Sequence, residues 1–305
     1  MPEKSLQLRQ KKLKKDRTML KFGIFLAMAT ALLFVACFGQ FLVPHDPFAQ
    51  DLNAARQSPS FEHLLGTDRY GRDLLSRVIL GAQTTIFSAL ALVGGIMIFG
   101  TMIGVICGYV GGWTDSFLMR ISDIFLAFPE MVFAISIAGV LNGGIWGAAI
   151  AVGLIAWPRY ARVARSQVLA MKNQPYMQAA KLSGTRWYKI IGKHILPNIL
   201  GPIAVTAALD LGAMIMNLAG LSYLGLGAVP PTPEWGSMMS EGRSMLQTCP
   251  WIVLAPGLAI FITVVIFNLL GDTIRDILDP TQKRRTVKGS FYGFRNLFSE
   301  KKTVI

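Results

Sequence analysis

Four stretches of this chain carry no Asp, Glu, Lys or Arg: Phe22 to Val43, Val78 to Thr114, Met131 to Pro158 and Trp251 to Gly271. The hydrocarbon core of a bilayer takes about 20 apolar residues of helix, and a soluble core helix seldom keeps that many free of charge. The composition agrees, with 52% hydrophobic and 15% charged residues, where an average globular chain carries about 25% charged. The first run follows a basic segment, as a signal peptide's core would. It is longer than the roughly 7–15 residues of such a core and is followed by further spans, so it reads as a retained helix. The chain is expected to be an all-α integral membrane protein.

A formal net charge of +13 invites a nucleic-acid reading. The placement of the charge argues against it. Lys4, Arg9, Lys11, Lys12, Lys14, Lys15, Arg17 and Lys21 precede the first apolar run, and Lys283, Arg284, Arg285, Lys288, Arg295, Lys301 and Lys302 follow the last. Between Arg159 and Lys193 there are eight basic residues and no acidic one. This is the positive-inside bias of a membrane protein. It puts both termini and the 159–197 segment in the cytoplasm, and no nucleic-acid partner is expected. Cys37, Cys107 and Cys249 are far apart and form neither a metal-ligand spacing nor a disulfide framework.

Two cytoplasmic ends require an even number of spans, and six helices satisfy every loop: 22–43, 83–110, 117–141, 145–163, 199–222 and 251–271. A basic cytoplasmic segment, 1–21, then precedes a transmembrane domain at 22–280, and a basic tail occupies 281–305. Segments 44–82 and 223–250, with mixed charge, lie outside. Turns are expected at Gly111-Gly112 and Asn142-Gly143-Gly144. In the second helix Gly100, Gly104 and Gly108 stand four apart, a doubled G-x-x-x-G ridge for close helix packing.

The segment Pro175-Tyr176-Met177-Gln178-Ala179-Ala180-Lys181-Leu182-Ser183-Gly184 carries the strongest local signal. Pro175 suits the first position of a helix and Gly184 the residue just past its end. The helix between is too short and too polar to enter the bilayer. A second short helix, 186–194, is expected to stop before Pro197, because the residue preceding proline disfavours helix. Together they make a compact helical projection from the cytoplasmic face, where the plain alternative is a solvated loop.

Gln178-Ala179-Ala180, Gly184 and Leu196-Pro197 resemble the cytoplasmic EAA loop of binding-protein-dependent ABC importers. In that family this helix sits in a groove of the ATPase subunit and transmits its closure to the membrane. The resemblance therefore assigns ATPase coupling to Pro175, Tyr176, Gln178, Ala179, Ala180 and Gly184. Two departures stand out: the usual Glu is Gln178, and a usual Ile is His194. His63 to Arg77 (HLLGTDRYGRDLLSR), Leu221 to Gly227 (LSYLGLG), Pro230 to Gly236 (PPTPEWG) and Phe267 to Pro280 (FNLLGDTIRDILDP) are similar to segments of the dipeptide/oligopeptide/nickel permeases. The resemblance covers roughly 20–280 and follows the order of the second permease subunit of such systems. It implies a type I importer permease fold in the cell membrane and import of di- or oligopeptides or of nickel as a chelate. It also implies four kinds of partner: a homologous second permease, two cytoplasmic ABC ATPases, an external substrate-binding protein, and membrane lipid. ATP and Mg would reside on the ATPases, with no cofactor in this chain.

Other residues admit functional and plain readings. Asp210 lies near the middle of the fifth expected helix, where a carboxylate must face protein or water rather than lipid. It is a candidate for the transport pathway or, more plainly, for a hydrogen bond at the subunit interface. Met214 lies one turn away and Met216 nearby, so a thioether–carboxylate metal site is conceivable, although Met more often fills cores. Arg120 and Asp123 are three apart and placed to pair. His45 and His63 read as isolated loop histidines, and no metal site is expected. No G-x-x-x-x-G-K-[ST] motif occurs, so ATP would be hydrolysed elsewhere and the chain is not itself expected to be an enzyme. The rival class is an ion-gradient-driven secondary transporter with Asp210 as its coupling carboxylate. Such carriers carry internal repeats and broken helices, neither of which the sequence displays. A membrane-embedded assembly or signalling subunit is a third class.

Overall fold

In the computed structural model, residues 2–141 and 143–278 are described, with side chains from Arg17 onward. The basic tail 281–305, Asn142, Asp279-Pro280 and the side chains of the N-terminal basic segment as far as residue 16 lie outside the described residues. The ten α-helices among the described residues are α1 (Pro2–Leu42), α2 (Leu74–Val110), α3 (Gly112–Ala127), α4 (Glu130–Val140), α5 (Ile145–Lys172), α6 (Pro175–Leu182), α7 (Trp187–Ile190), α8 (Leu196–Tyr223), α9 (Trp235–Gly242) and α10 (Trp251–Leu278). No strand is formed among them beyond one isolated bridge between Thr67 and Asp73.

Every expected apolar helix exists, but the bounds differ. The first helix starts at Pro2 rather than 22, taking in the basic segment, and the last runs on to Leu278 rather than 271. Four further differences have local causes. The second helix starts at Leu74 rather than 83, because the Asp73 carboxylate accepts the Ser76 amide and caps it. The third breaks in two. Pro129 forces Phe128 out of helical backbone, to φ −91° and ψ 143°, and α3 and α4 meet at 93°. One broken helix pair is thus present where none was expected. The fourth helix runs on to Lys172, so the first part of the basic 159–197 segment is helix rather than loop.

The last difference is at Pro197, which does not end a helix. Residues Ile191–Ile195 form a π turn that joins α7 to α8 without a gap. The Leu196 amide bonds the Ile191 carbonyl five residues back, and this wider turn accommodates a proline ring that would clash in a regular α-helix. By length and composition four helices can cross a membrane, or five if the bent pair counts as one span. Helix α5 begins apolar but carries Arg159, Arg162 and Arg165 in its second half.

The buried core lies where α2, α5, α8 and α10 meet, and includes Ile86, Ile96, Val152, Ile155, Ile203, Ile215 and Ile266. Helix α2 packs on α5 along the glycine ridge. A Cβ on Gly100 would lie 2.5 Å from the Trp157 carbonyl oxygen and one on Gly108 2.7 Å from Val168 Cβ, and one on Gly104 would strike the Ala161 carbonyl. Only hydrogen fits on that face, as the four-residue spacing implied.

Candidate functional site

Three regions bear polar chemistry: the α6 projection, the arginine row of α5, and the loops at the opposite end of the helices.

Helix α6 is bounded as its sequence suggested. Pro175 occupies its first turn after Gln174, whose backbone is extended. At the other end Gly184 takes φ +71°, its amide bonds Lys181 O at 3.0 Å, and the Thr185 amide bonds Ala180 O at 3.1 Å. This pair of bonds is a Schellman cap, and it needs the left-handed backbone that glycine adopts freely. A Cβ at Gly184 would meet nothing within 4 Å, so conformation rather than space requires glycine there. Met177 is buried and anchors the helix. Gln178 and Ala179 are exposed, Ala180 half-buried, and Leu182 is 89% exposed beside exposed Tyr176, Trp187 and Tyr188. The Lys181 ammonium lies over the Tyr109 ring at the end of α2, while Lys172 at the end of α5 donates to the Tyr109 carbonyl at 2.8 Å. Lys181 therefore ties the projection to α2, and Lys172 ties α2 to α5; the projection itself presents aromatic and aliphatic side chains at its surface.

Arg159, Arg162 and Arg165 stand three apart on α5, so successive side chains swing about 60° around the axis and reach different neighbours. Arg159 donates to Asp210 on α8 at 2.5 Å, Arg162 to Asp123 on α3 at 2.7 Å, and Arg165 to both oxygens of Asp115 on α3. The expected Arg120–Asp123 pair gives way to Arg162–Asp123, because α5 brings a guanidinium to that face. Glu130 accepts from Asn217 at 2.9 Å, linking α4 to α8. Asp210 is buried; its Oδ1 is partnered inside this chain by Arg159, while its Oδ2 is buried without a partner among the described residues. Met214 is buried in the core and Met216 is 54% exposed, so the two thioethers do not share one environment with Asp210.

At the far end, the 63–77 and 230–236 segments form one network, with Arg77 reaching both Asp68 and the Pro231 carbonyl. Asp68 accepts the amides of Tyr70 and Arg72 and pairs with Arg72 Nε at 2.6 Å. Arg72 reaches across to Glu241 at 2.9 Å, which joins the first long loop to the last turn of α9. A Cβ on Gly71 would strike the Asp51 carbonyl, closing the loop on itself. Glu234 accepts the amides of Gly236 and Ser237 at 2.9 and 2.8 Å and caps α9. Burial pushes its carboxyl above the usual range, and the two amides only partly offset that. Trp235 Nε1 donates to the Val78 carbonyl at 2.8 Å, pinning α9 onto α2. The sequence pattern alone assigns no roles within these segments, although Asp68, Arg72, Asp73 and Arg77 sit beside a charge-free run, where unpaired charge is costly.

The two histidines are not isolated. His63 Nδ1 lies 2.9 Å and His45 Nδ1 3.9 Å from Asp73 Oδ1, and the rings are 5.1 Å apart. The loop folds back on the start of α2 and brings together residues that the sequence separates.

Comparison with known proteins follows from this architecture. A family described as "binding-protein-dependent transport system inner membrane component" matches residues 100–284. A dipeptide transport system permease protein of Alkalihalophilus pseudofirmus is 40% identical over 273 residues, covering 90% of this chain and 89% of that one. A glutathione transport system permease protein of Pectobacterium atrosepticum is 39% identical, covering 86% of each chain. A nickel transport system permease protein of Escherichia coli K12 is 37% identical, covering 84% of this chain and 92% of that one. Among solved structures, the inward facing methionine ABC transporter superposes with a TM-score of 0.52 at 16% identity, over 68% of this chain and 98% of that one, and shares the fold.

Proposed function

Because this chain belongs to the family of binding-protein-dependent transport system inner membrane components, we propose that α6 is the element through which partner ATPases drive it. The chain is a multi-pass membrane protein and a permease subunit of an ABC importer. Its second permease, its two ATPases and its external binding protein are the partners this reading requires. The observation that carries the reading is the surface of the 175–188 projection, where Leu182, Trp187, Tyr176 and Tyr188 stand exposed around exposed Gln178 and Ala179. Large apolar side chains outside the apolar helices mark a protein contact. Gln178 retains hydrogen-bonding capacity in place of a carboxylate, so the contact relies on shape rather than a salt bridge at that position.

The contacts also suggest how a push on α6 travels. Lys181 ties the projection to the end of α2, Lys172 ties that end to α5, and the glycine ridge holds those two helices as one body. Closure of the ATPases would then move α2 and α5 together against α8 and α10. The permease biases two conformations and performs no covalent chemistry of its own. The proposed orientation places α6 and both termini in the cytoplasm, with the 44–73 loop and α9 outside.

The cargo class proposed is a di- or oligopeptide or a chelated metal, in keeping with relatives named for dipeptide, glutathione and nickel transport. The reconstituted complex should import a peptide or a nickel chelate but not the free ion. Coupling is tested by ATPase activity with and without loaded binding protein. Ala179→Trp puts bulk on the exposed face of α6, and Ala180→Trp puts it on the half-buried flank. Both should abolish stimulation while the variants still copurify with the second permease. Normal stimulation in both would remove α6 from the coupling path.

A further inference from the structure

The geometry points to a divalent transition-metal site formed by His45, His63 and Asp73. The three ligand atoms all lie within 4.8 Å of one another. A tetrahedral ion with bonds of about 2.1 Å separates its ligand atoms by about 3.4 Å. The observed Nδ1–Oδ1 distances of 2.9 Å for His63 and 3.9 Å for His45 bracket that value. Modest side-chain adjustment is all that binding asks.

The donors are held in place beforehand. Asp73 spends Oδ2 on the Ser76 amide and hydroxyl, at 2.8 and 2.6 Å, which leaves Oδ1 facing the imidazoles. The His45 amide donates to the same Ser76 hydroxyl at 3.1 Å, so one serine fixes two of the three ligands. The His63 amide donates to Ser60 Oγ at 3.1 Å, and its carbonyl accepts the amides of Ser60 and Gly66. Competing cations are engaged elsewhere: Arg72 with Asp68 and Glu241, and Arg77 with Asp68 and the Pro47 carbonyl.

Side-chain exposure of 2% for Asp73, 13% for His63 and 44% for His45 describes a site rooted in protein and open at one side. Water takes the remaining coordination positions. Two imidazoles with one carboxylate suit zinc, nickel or another first-row divalent ion, not calcium or magnesium. In the metal-free state His63 Nδ1 sits in hydrogen-bond contact with Asp73 Oδ1. An ion on Nδ1 requires the imidazole proton on Nε2, so each ring binds as a neutral ligand and no net proton is released. Bound metal clamps the end of α1, the 57–66 loop and the start of α2 into one unit.

The test uses the full-length chain without a polyhistidine tag, purified in detergent, with Zn2+ or Ni2+ alone as the probe. Equilibrium dialysis should find one ion per chain. His45→Ala and His63→Ala should each weaken binding at least ~10-fold, while His194→Ala leaves it unchanged. X-ray absorption of the zinc-loaded wild type, which needs no variant to fold, should show two imidazole ligands. Absence of saturable binding to the wild type overturns the assignment. So does binding undiminished in either His45→Ala or His63→Ala, binding lost in His194→Ala, or an absorption spectrum without imidazole scattering.

Discussion

Asp210 and Arg159 pair between α8 and α5 in the apolar part of the molecule, and their energetics follow from what each becomes alone. Asp210 is buried and Arg159 half exposed, so the carboxylate depends on the pair more than the guanidinium does. A hydrogen bond to a charged group is worth about 1.5–3 kcal/mol. Arg159→Gln should therefore lower the stability of the purified protein by about that much in thermal or denaturant unfolding in detergent. Adding Asp210→Asn should recover a large part of the loss, because no unpaired carboxylate then remains; a double variant no better than Arg159→Gln would show that the pair is not coupled. Glu234 makes the complementary case outside the membrane. Its carboxyl is raised by burial, so the folded protein holds that proton more readily than the unfolded chain. The stability contributed by this proton is complete below the unfolded pKa and disappears as pH rises through the folded value. Glu234→Gln should flatten the stability profile across that acidic window, as read by thermal shift at a series of pH values. An unchanged slope would mean that Glu234 titrates like an exposed carboxylate.

Among the elements, α6 was the most legible, because its limits are set by single residues with local effects. Proline at its start, two alanines and a glycine at its end specify the helix before any neighbour is known, and the Schellman cap at Gly184 is the geometry this pattern calls for. Gly184→Val places a β-branched residue at φ +71°, where the left-handed backbone costs an L-residue about 1–2 kcal/mol or more. The variant should insert and assemble normally yet lose stimulation of the partner ATPases, while Gly184→Asn, which tolerates that backbone better, should retain much of it. Equal loss in both would point away from the cap. Pro197 shows the limit of local reasoning. Proline discourages regular helix, but the π turn over Ile191–Ile195 offers a wider backbone, and the packing of α8 makes the continuous path worthwhile. Pro129, by contrast, acts as its local preference dictates and breaks α3 from α4.

For the molecule as a whole, the proposed orientation in the bilayer rests on where the charges lie. The basic segments motivate an inward α6, and the mixed-charge loops an outward 44–73 segment and α9. In a cysteine-free background, Phe61→Cys and Leu246→Cys should react with a membrane-impermeant maleimide added to intact cells. Leu182→Cys should react only after the membrane is permeabilised, although all three positions are exposed in the fold. Labelling of Leu182→Cys from outside would invert the arrangement and remove α6 from the reach of cytoplasmic ATPases.

The sequence by itself determined the class of the protein and most of its elements. Charge-free runs, glycine spacing and a proline–glycine frame act through solvation and backbone sterics, which need no knowledge of distant residues. The tertiary structure decided which charge meets which. Asp210 meets Arg159 through one oxygen, Asp123 finds Arg162 rather than Arg120, and two histidines 18 residues apart converge on Asp73. Such pairings depend on how helices rotate and loops return, and a charge buried beside a membrane takes whichever partner the packing delivers.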